Sequence, residues 1–366
     1  MPVKAVSIIV GAAVLLILAY GEIDYQETYR QVDLQHYRQM ARAAPHIDPT
    51  VPAPFSYRWL GPYLVGLLPV DDVTGFRILS YSAAVALALL FYAFLRAVHI
   101  GGRAAVYAVL LLMANRYFWG FPVFNFFQLD DLLGLISLLG GMWAIVKSRW
   151  GVLAVVMFVG VLAREQPLIL VPVALVHAWE RGKLREHGTR ALVASAPALL
   201  CFIAVRLLLP SPEGAGPFEV LQRYGPKAWR METWARLLVN AFVPISFMPL
   251  VFWKTTGSFF ADRKYLLVFL GLVLLTVFFA HDQERMLSPG FVGYYWLVAY
   301  LLETRFPDRG SSMPLLLLVA VVSLPDHVIS RFPLGTRDQT MVVSGMALVA
   351  ATVMMIGTAV RQQRRG

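Results

Sequence analysis

Two kinds of side chain stand in this sequence where chemistry could happen: carboxylates at the ends of apolar runs, and arginines beside them. Glu22-Ile-Asp24 follows directly on the apolar run Ala5–Tyr20. Asp33 lies one helical turn after Arg30 and, at helical spacing, shares a face with Tyr37, Met40, Ala41 and Ala44. Asp130-Asp131 open an apolar run just after Phe126-Phe127, and Arg164-Glu165 separate two short apolar segments. His281-Asp282-Gln-Glu284-Arg285 stand where another apolar segment ends, and Arg223, Lys227 and Arg230 follow one another at spacings of four and three. A carboxylate at the edge of an apolar phase is a candidate general base, because partial desolvation raises its pKa towards the working range. An arginine fork is a candidate phosphate clamp, because it makes paired, charge-assisted bonds to phosphate oxygens.

Each of these groups also has a plain structural role open to it. Asp33 could pair with Arg30 on a wet helix face. Glu22 and Asp24 could simply flank a helix end, and one of Asp130 and Asp131 could cap a helix. Arg58 sits among Tyr57, Trp59 and Tyr63, where snorkelling to an interface would account for it. Charges such as Arg164 and Glu165 are costly between apolar segments unless paired or wetted, so they should face a cavity or each other. Arg223, Lys227 and Arg230 could meet lipid headgroups or a lipid pyrophosphate. Four ionisable groups in five residues at 281–285, within an otherwise apolar region, favour a site over a solvated loop.

The elements that must position these groups are dominated by apolar sequence. Of 366 residues, 58% are hydrophobic and 15% charged, against about 45–50% and about 25% in a soluble domain. Mean hydropathy is +0.63. A single soluble enzyme is thereby excluded, and so is an outer-membrane barrel, because the apolar runs are continuous instead of alternating. The one cysteine, Cys201, lies inside the apolar run Ala191–Leu209, which removes disulfides and Cys-ligated metals. The net charge of +10 reads as basic residues holding cytoplasmic loops, not as a nucleic-acid surface.

Twelve apolar segments predict an all-α, polytopic membrane protein of about 12 transmembrane helices in one membrane domain, 1–366. They fall at Ala5–Tyr20, Ile78–Leu95, Ala104–Ala114 with an aromatic extension, Leu129–Val146, Gly151–Ala163 and Gln166–Trp179. The remainder are Ala191–Leu209, Leu237–Trp253, Tyr265–Ala280, Phe291–Leu302, Met313–Leu324 and Met341–Val360. The fifth and sixth are each shorter than the ~20 residues of a straight crossing. Basic residues flank the pair on both sides (Lys147 and Arg149; Arg181, Lys183, Arg185 and Arg190), which calls for a hairpin broken at Arg164-Glu165. On that count Arg96/Arg103, Lys254/Arg263/Lys264, Arg305/Arg309 and the tail are cytoplasmic, with both termini inside.

Two outward loops are long, the first over 21–77 and the second over 210–236. Long loops in a compact fold are functional or disordered, and the first is rich in Tyr, Trp, Phe and Leu, residues that pack. Within it Tyr25–Ala44 lacks proline and glycine and reads as an amphipathic helix at headgroup level. Four prolines between Pro45 and Pro54 then enforce extended chain, followed by a second aromatic, interfacial segment, Phe55–Leu64.

An acidic residue, Tyr37 and Met40-Ala41, a proline-rich passage, and then Pro54-Phe-x-Tyr57-Arg58-x-Leu60-x-Pro62 resemble a pattern in bacterial GT-C-type membrane glycosyltransferases. The resemblance covers about the first third of the chain. It implies a sugar donor on a polyprenyl phosphate, action on the outer face of the membrane, and an essential acid in the first outer loop. Asp33 matches that acid, and Glu22-Ile-Asp24 resembles the acidic pair some members carry after the first helix. Tyr37, Tyr57 and Arg58 fall within the matched pattern; Asp130, Asp131, Arg164, Glu165, Asp282, Glu284 and Arg285 match more loosely. The implied reaction is direct displacement with inversion, with Asp33 or Asp24 as base and Arg58 with Arg285, or Arg223 and Arg230, on the phosphate. The partners expected are that donor, a glycan, lipid or protein acceptor and membrane lipids, in the inner membrane of a bacterium.

No cofactor is called for, and a need for a divalent metal is left open; the seven histidines lack ligand spacing. Walker A, H-E-x-x-H, nucleophile-elbow and dinucleotide-binding motifs are absent. The competing class is a transporter or flippase of a lipid-linked sugar or other solute. A transporter places its acids near the midplane, often in two related halves, whereas here they concentrate in outer loops.

Overall fold

The computed structural model describes residues 2–25, 32–209, 217–279, 282–306 and 312–363 of the chain. These form helices and connecting turns, with no strand among the described residues. In chain order the helices are α1 (Val3–Tyr20), α2 (Val32–Ala43), α3 (Leu60–Gly66), α4 (Asp72–Ala97), α5 (Gly102–Met113) and α6 (Phe121–Phe124). Next come α7 (Leu129–Val146), α8 (Trp150–Ala163), α9 (Leu170–Glu180), α10 (Thr189–Leu208), α11 (Pro217–Ala228) and α12 (Met231–Asn240). The rest are α13 (Met248–Val251), α14 (Trp253–Ala261), α15 (Lys264–Thr276), α16 (Gln283–Met286), α17 (Phe291–Arg305), α18 (Ser312–Val322) and α19 (Arg337–Gln363).

Among the described residues five helices are long and apolar enough to cross a bilayer: α1, α4, α7, α10 with its preceding turn, and α19. A sixth is the bent pair Gly102–Met113 and Arg116–Phe124. Shorter apolar helices lie at Trp150–Ala163, Lys264–Phe279 and Ser312–Val322. Several of these helices turn apolar faces outward with nothing covering them: Val14, Leu15 and Leu18 on α1, Val193, Leu200 and Leu207 on α10, Val349 and Val353 on α19. Faces of that extent suit hydrocarbon and not water, and the chain is a polytopic membrane protein.

Local differences from the sequence-based expectation have local causes. The helix expected over Tyr25–Ala44 is seen from Val32; Tyr25 is in a turn, and 26–31, with Arg30, lie outside the described residues. In the second long loop, expected over 210–236, the described residues fold as α11 and the first part of α12. Leu237–Trp253 is not one helix, because α12 stops at Asn240 and prolines 244 and 249 cannot continue it. The aromatic extension of α5 turns by 66° at Asn115, whose side-chain oxygen accepts from the Tyr117 and Phe118 amides at 3.0 and 2.9 Å. The fifth and sixth apolar segments are separate helices, α8 ending at Ala163 and α9 beginning at Leu170 after a short turn.

The chain divides into two compact units, Met1–Gly21 with Ala88–Phe124 and Val220–Gly366, and Glu22–Leu87 with Asn125–Glu219. In the second of these α7 is the buried centre: Leu132, Leu135, Leu138 and Met142 are all covered, with α8, α9 and α3 packed on it. A Cβ on Gly160 would lie 2.6 Å from Ser137 Cβ, so the small residue sets how closely α8 approaches α7. The amphipathic α2 buries Leu34, Tyr37, Met40 and Ala41 and rests on α3. In the first unit α5 and α17 form the core, with α1 and α18 also against α5. Tyr295, Trp296, Leu297 and Val298 of α17 are buried, and Asn115 joins this core by donating to Ala241 O at 2.7 Å.

Candidate functional site

Within the second unit the polar side chains gather on the first turn of α7. The Gly61 amide donates to Asp130 Oδ1 at 2.8 Å. A Cβ at position 61 would come 2.8 Å from that same oxygen, so glycine is what lets the α3 backbone approach the carboxylate. Asp130 is 1% exposed, and its second oxygen, Oδ2, has no hydrogen-bond partner among the described residues. Asp131 forms an ion pair with Arg164, both almost wholly buried. Arg164 stands where α8 ends and the backbone becomes extended, and its side chain runs against Gly134 of α7.

The next residue, Glu165, accepts from Arg58 Nη2 at 3.0 Å, and Arg58 Nε is buried without a hydrogen bond. Burial pushes the Glu165 carboxyl up, but the Arg58 and Arg164 guanidiniums more than reverse this and hold it at about 2. Tyr37 is 2% exposed and meets Phe55 edge-on at 5.6 Å. Burial raises its phenol, with Arg58 opposing and Asp130 and Asp131 adding, so it stays a protonated donor across the physiological range. Arg206 of α10 closes the group over the Tyr57 ring at 4.7 Å and the Phe202 ring at 3.6 Å.

Asp33 is half-buried at the start of α2, and its Oδ2 accepts from Gln128 Nε2 at 3.0 Å. Gln128 immediately precedes α7, so the first-loop acid is tied to the helix that carries Asp130 and Asp131. Arg38 and Arg42 fix α2 to Asp72, the first residue of α4, at 2.8 and 2.9 Å. Glu22 is engaged otherwise: it accepts from Tyr81 Oη at 2.8 Å and pairs with Arg77 at 2.9 Å. Asp24 is exposed. Thus Asp33, Tyr37, Tyr57, Arg58, Asp130, Asp131, Arg164 and Glu165, distant in sequence, belong to one unit and one polar neighbourhood.

The first unit holds Asp282, Glu284 and Arg285; His281 lies outside the described residues. A cavity of about 390 Å³ is lined by Asp282, Glu284, Arg236, Arg337, His327 and Tyr117, among others. Arg236 pairs with Glu284 at 3.1 Å and donates to Gln283 at 2.9 Å. Burial raises the Glu284 carboxyl, Arg236 opposing it. Arg285 lies over the Phe121 ring at 5.4 Å. At the cavity wall Asp326 faces Arg116 at 3.5 Å and His327 Nδ1 at 3.2 Å. Arg116, 1% exposed, also donates to Asn240 at 2.9 Å and to Ser344. Arg223 and Arg230, with Lys227, are exposed and line neither the cavity nor the α7 cluster.

Gln128, Arg206, Arg116, Arg236, Asp326 and His327 are polar partners that sequence reasoning did not single out. A signal existed for two of them: Arg206 is a lone cation inside Ala191–Leu209, and Arg116 stands two residues past the end of Ala104–Ala114; intramembrane arginines are costly enough to need a reason. No group of three or more His, Cys, Asp or Glu that could hold a metal ion occurs among the described residues.

No family model matches the chain, and no curated protein matches it in sequence. In fold the chain is similar to solved structures of ArnT from Cupriavidus metallidurans. The particular likeness is to the crystal structure of ArnT from Cupriavidus metallidurans bound to undecaprenyl phosphate, with a TM-score of 0.52 over 100% of this chain and 73% of that one, at 15% identity. The apo structure of the same ArnT aligns over 90% of this chain and 67% of that one, with a TM-score of 0.49 and 15% identity. At such identity the likeness is one of fold.

Proposed function

We propose that this chain is a membrane glycosyltransferase that moves a sugar from a polyprenyl-phosphate donor to a cell-surface glycan, lipid or protein acceptor. The observation that carries this reading is the Asp33–Gln128 hydrogen bond, which ties a half-buried carboxylate to the start of the helix that carries Asp130 and Asp131. The ArnT-like fold over the whole chain supports it, and that structure contains undecaprenyl phosphate. Nothing in the comparison favours the transporter.

In the proposed step the acceptor hydroxyl attacks the anomeric carbon while Asp33 Oδ1, the oxygen Gln128 leaves open, takes its proton. The carbon–oxygen bond to phosphate breaks, the electron pair leaves with the polyprenyl phosphate, and configuration inverts. Arg58 has an Nε–H with no partner among the described residues and is the candidate for the departing phosphate, with Glu165 fixing its fork. Asp24 is the alternative base. The setting is the outer face of a bacterial inner membrane, with about twelve crossings in a single domain and both termini cytoplasmic.

Purified protein in liposomes, given polyprenyl-phosphate sugars labelled in the sugar and an extract of envelope glycans and lipids, tests this. Transfer of label with matching release of polyprenyl phosphate is expected. Passage of the intact lipid across the bilayer without cleavage would replace the enzyme by a transporter.

A further inference from the structure

A second cavity of the first unit, about 280 Å³, shares no lining residue with the first. It is formed by the turn into α14, the end of α17 and the end of α19, and Trp253, Lys254, Thr255, Arg305 and Gln362 line it. Arg305 Nε donates to Thr255 Oγ1 at 2.7 Å, and Gln362 Nε2 donates to Arg305 O at 2.5 Å. These bonds hold three chain ends together around the hole.

The cavity is electrically one-sided. Lys254 and Arg305 both line it, no carboxylate does so among the described residues, and neither cation is paired in an ion bridge with a described residue. This contrasts with the 390 Å³ cavity, where acids and arginines alternate. Val251, Phe252 and Trp253 give it an apolar side; Trp253 is 66% exposed, with Lys254 Nζ 5.6 Å from its ring. Two cations with no ion-pair partner among the described residues, beside an exposed tryptophan, suit an amphiphile with an anionic head. The arginine fork and the lysine point charge share the oxygens of a phosphate, and tryptophan sits at headgroup level.

We infer that this cavity binds the phosphate headgroup of an anionic phospholipid between Lys254 and Arg305, its acyl chains lying along Val251 and Trp253. A free phosphate ester would use the same cations but leave the apolar side unused. The three chain ends are also those whose basic residues mark them as cytoplasmic, and anionic lipid gathers in that leaflet. The site does not depend on the glycosyltransferase reading.

The test measures retention of phosphatidylglycerol on the full chain by native mass spectrometry, and its effect on Tm against phosphatidylcholine alone. Phosphatidylglycerol should raise Tm, and each of Lys254→Gln and Arg305→Gln should weaken retention about fivefold. Lys254 is exposed, so K254Q keeps the fold even where R305Q loses its Thr255 bond, and K183Q, an exposed cation of the other unit, should change nothing. Equal retention in wild type and K254Q overturns the inference. So does glycerol 3-phosphate at millimolar concentration reproducing the whole Tm shift, which would make this a site for a soluble phosphate ester.

Discussion

The polar clusters of the two units are built differently. On α7 the charges meet each other directly: Asp131 on Arg164 and Glu165 on Arg58, with Gly61 pressed against Asp130. In the first unit Arg236, Glu284 and Asp326 stand around a cavity of about 390 Å³. Directly paired charges fix geometry in advance, because a buried charge is tolerated only where its partner is held. An open cavity with both signs on its walls can exchange its partners for a ligand's. Preorganisation and access are thus divided between separate sets of residues.

That contrast is open to attack by mutation. Arg164→Ala leaves Asp131 buried without its counter-charge and should cost about 3–5 kcal/mol, read as a large fall in Tm; the paired change Asp131→Leu with Arg164→Met should restore most of it. Arg236→Ala, on a half-buried wall residue, should cost on the order of 1 kcal/mol. Equal losses for Arg164 and Arg236 would erase the distinction. Next in size, Gly61→Ala forces a methyl onto Asp130 Oδ1 and should lower stability by about 1–3 kcal/mol; an unchanged Tm would mean that the α3–α7 contact is looser than 2.8 Å.

The smallest effect is one of pH. The folded Glu165 carboxyl is held at about 2, below the ~4.3 of an unfolded glutamate. Its stabilisation is therefore complete above the unfolded value and lost as pH falls through about 2. The Tm difference between wild type and Glu165→Gln should be flat from pH 8 to 5 and shrink below pH 4.5. A difference that instead grows on acidification has the wrong sign for a depressed carboxyl.

Much of the second unit's cluster was legible because its signals are local. The 3.6-residue period marks Tyr37, Met40 and Ala41 as one face of α2, and all three are buried. Flanking basic residues mark the break at Arg164-Glu165, where α8 ends. What the sequence hides is long-range pairing: Asp33 with Gln128 spans 95 residues and Arg58 with Glu165 spans 107. Arg30, the local partner considered for Asp33, lies outside the described residues. In the first unit Arg116 and Asp326, 210 residues apart by number, meet at 3.5 Å, and no periodicity announces such a contact. Hydropathy alone also joined Leu237–Trp253 into one segment, although prolines 244 and 249 divide it.

The central claim rests on one carboxylate. Single-turnover transfer of labelled sugar from polyprenyl phosphate by Asp33→Asn, whose amide is isosteric and cannot take a proton as a carboxylate does, tests it most directly. The rate should fall by about 10²–10⁴-fold while Tm and donor-lipid binding stay as in wild type. A folded Asp33→Asn protein that turns over at the wild-type rate would contradict the assignment.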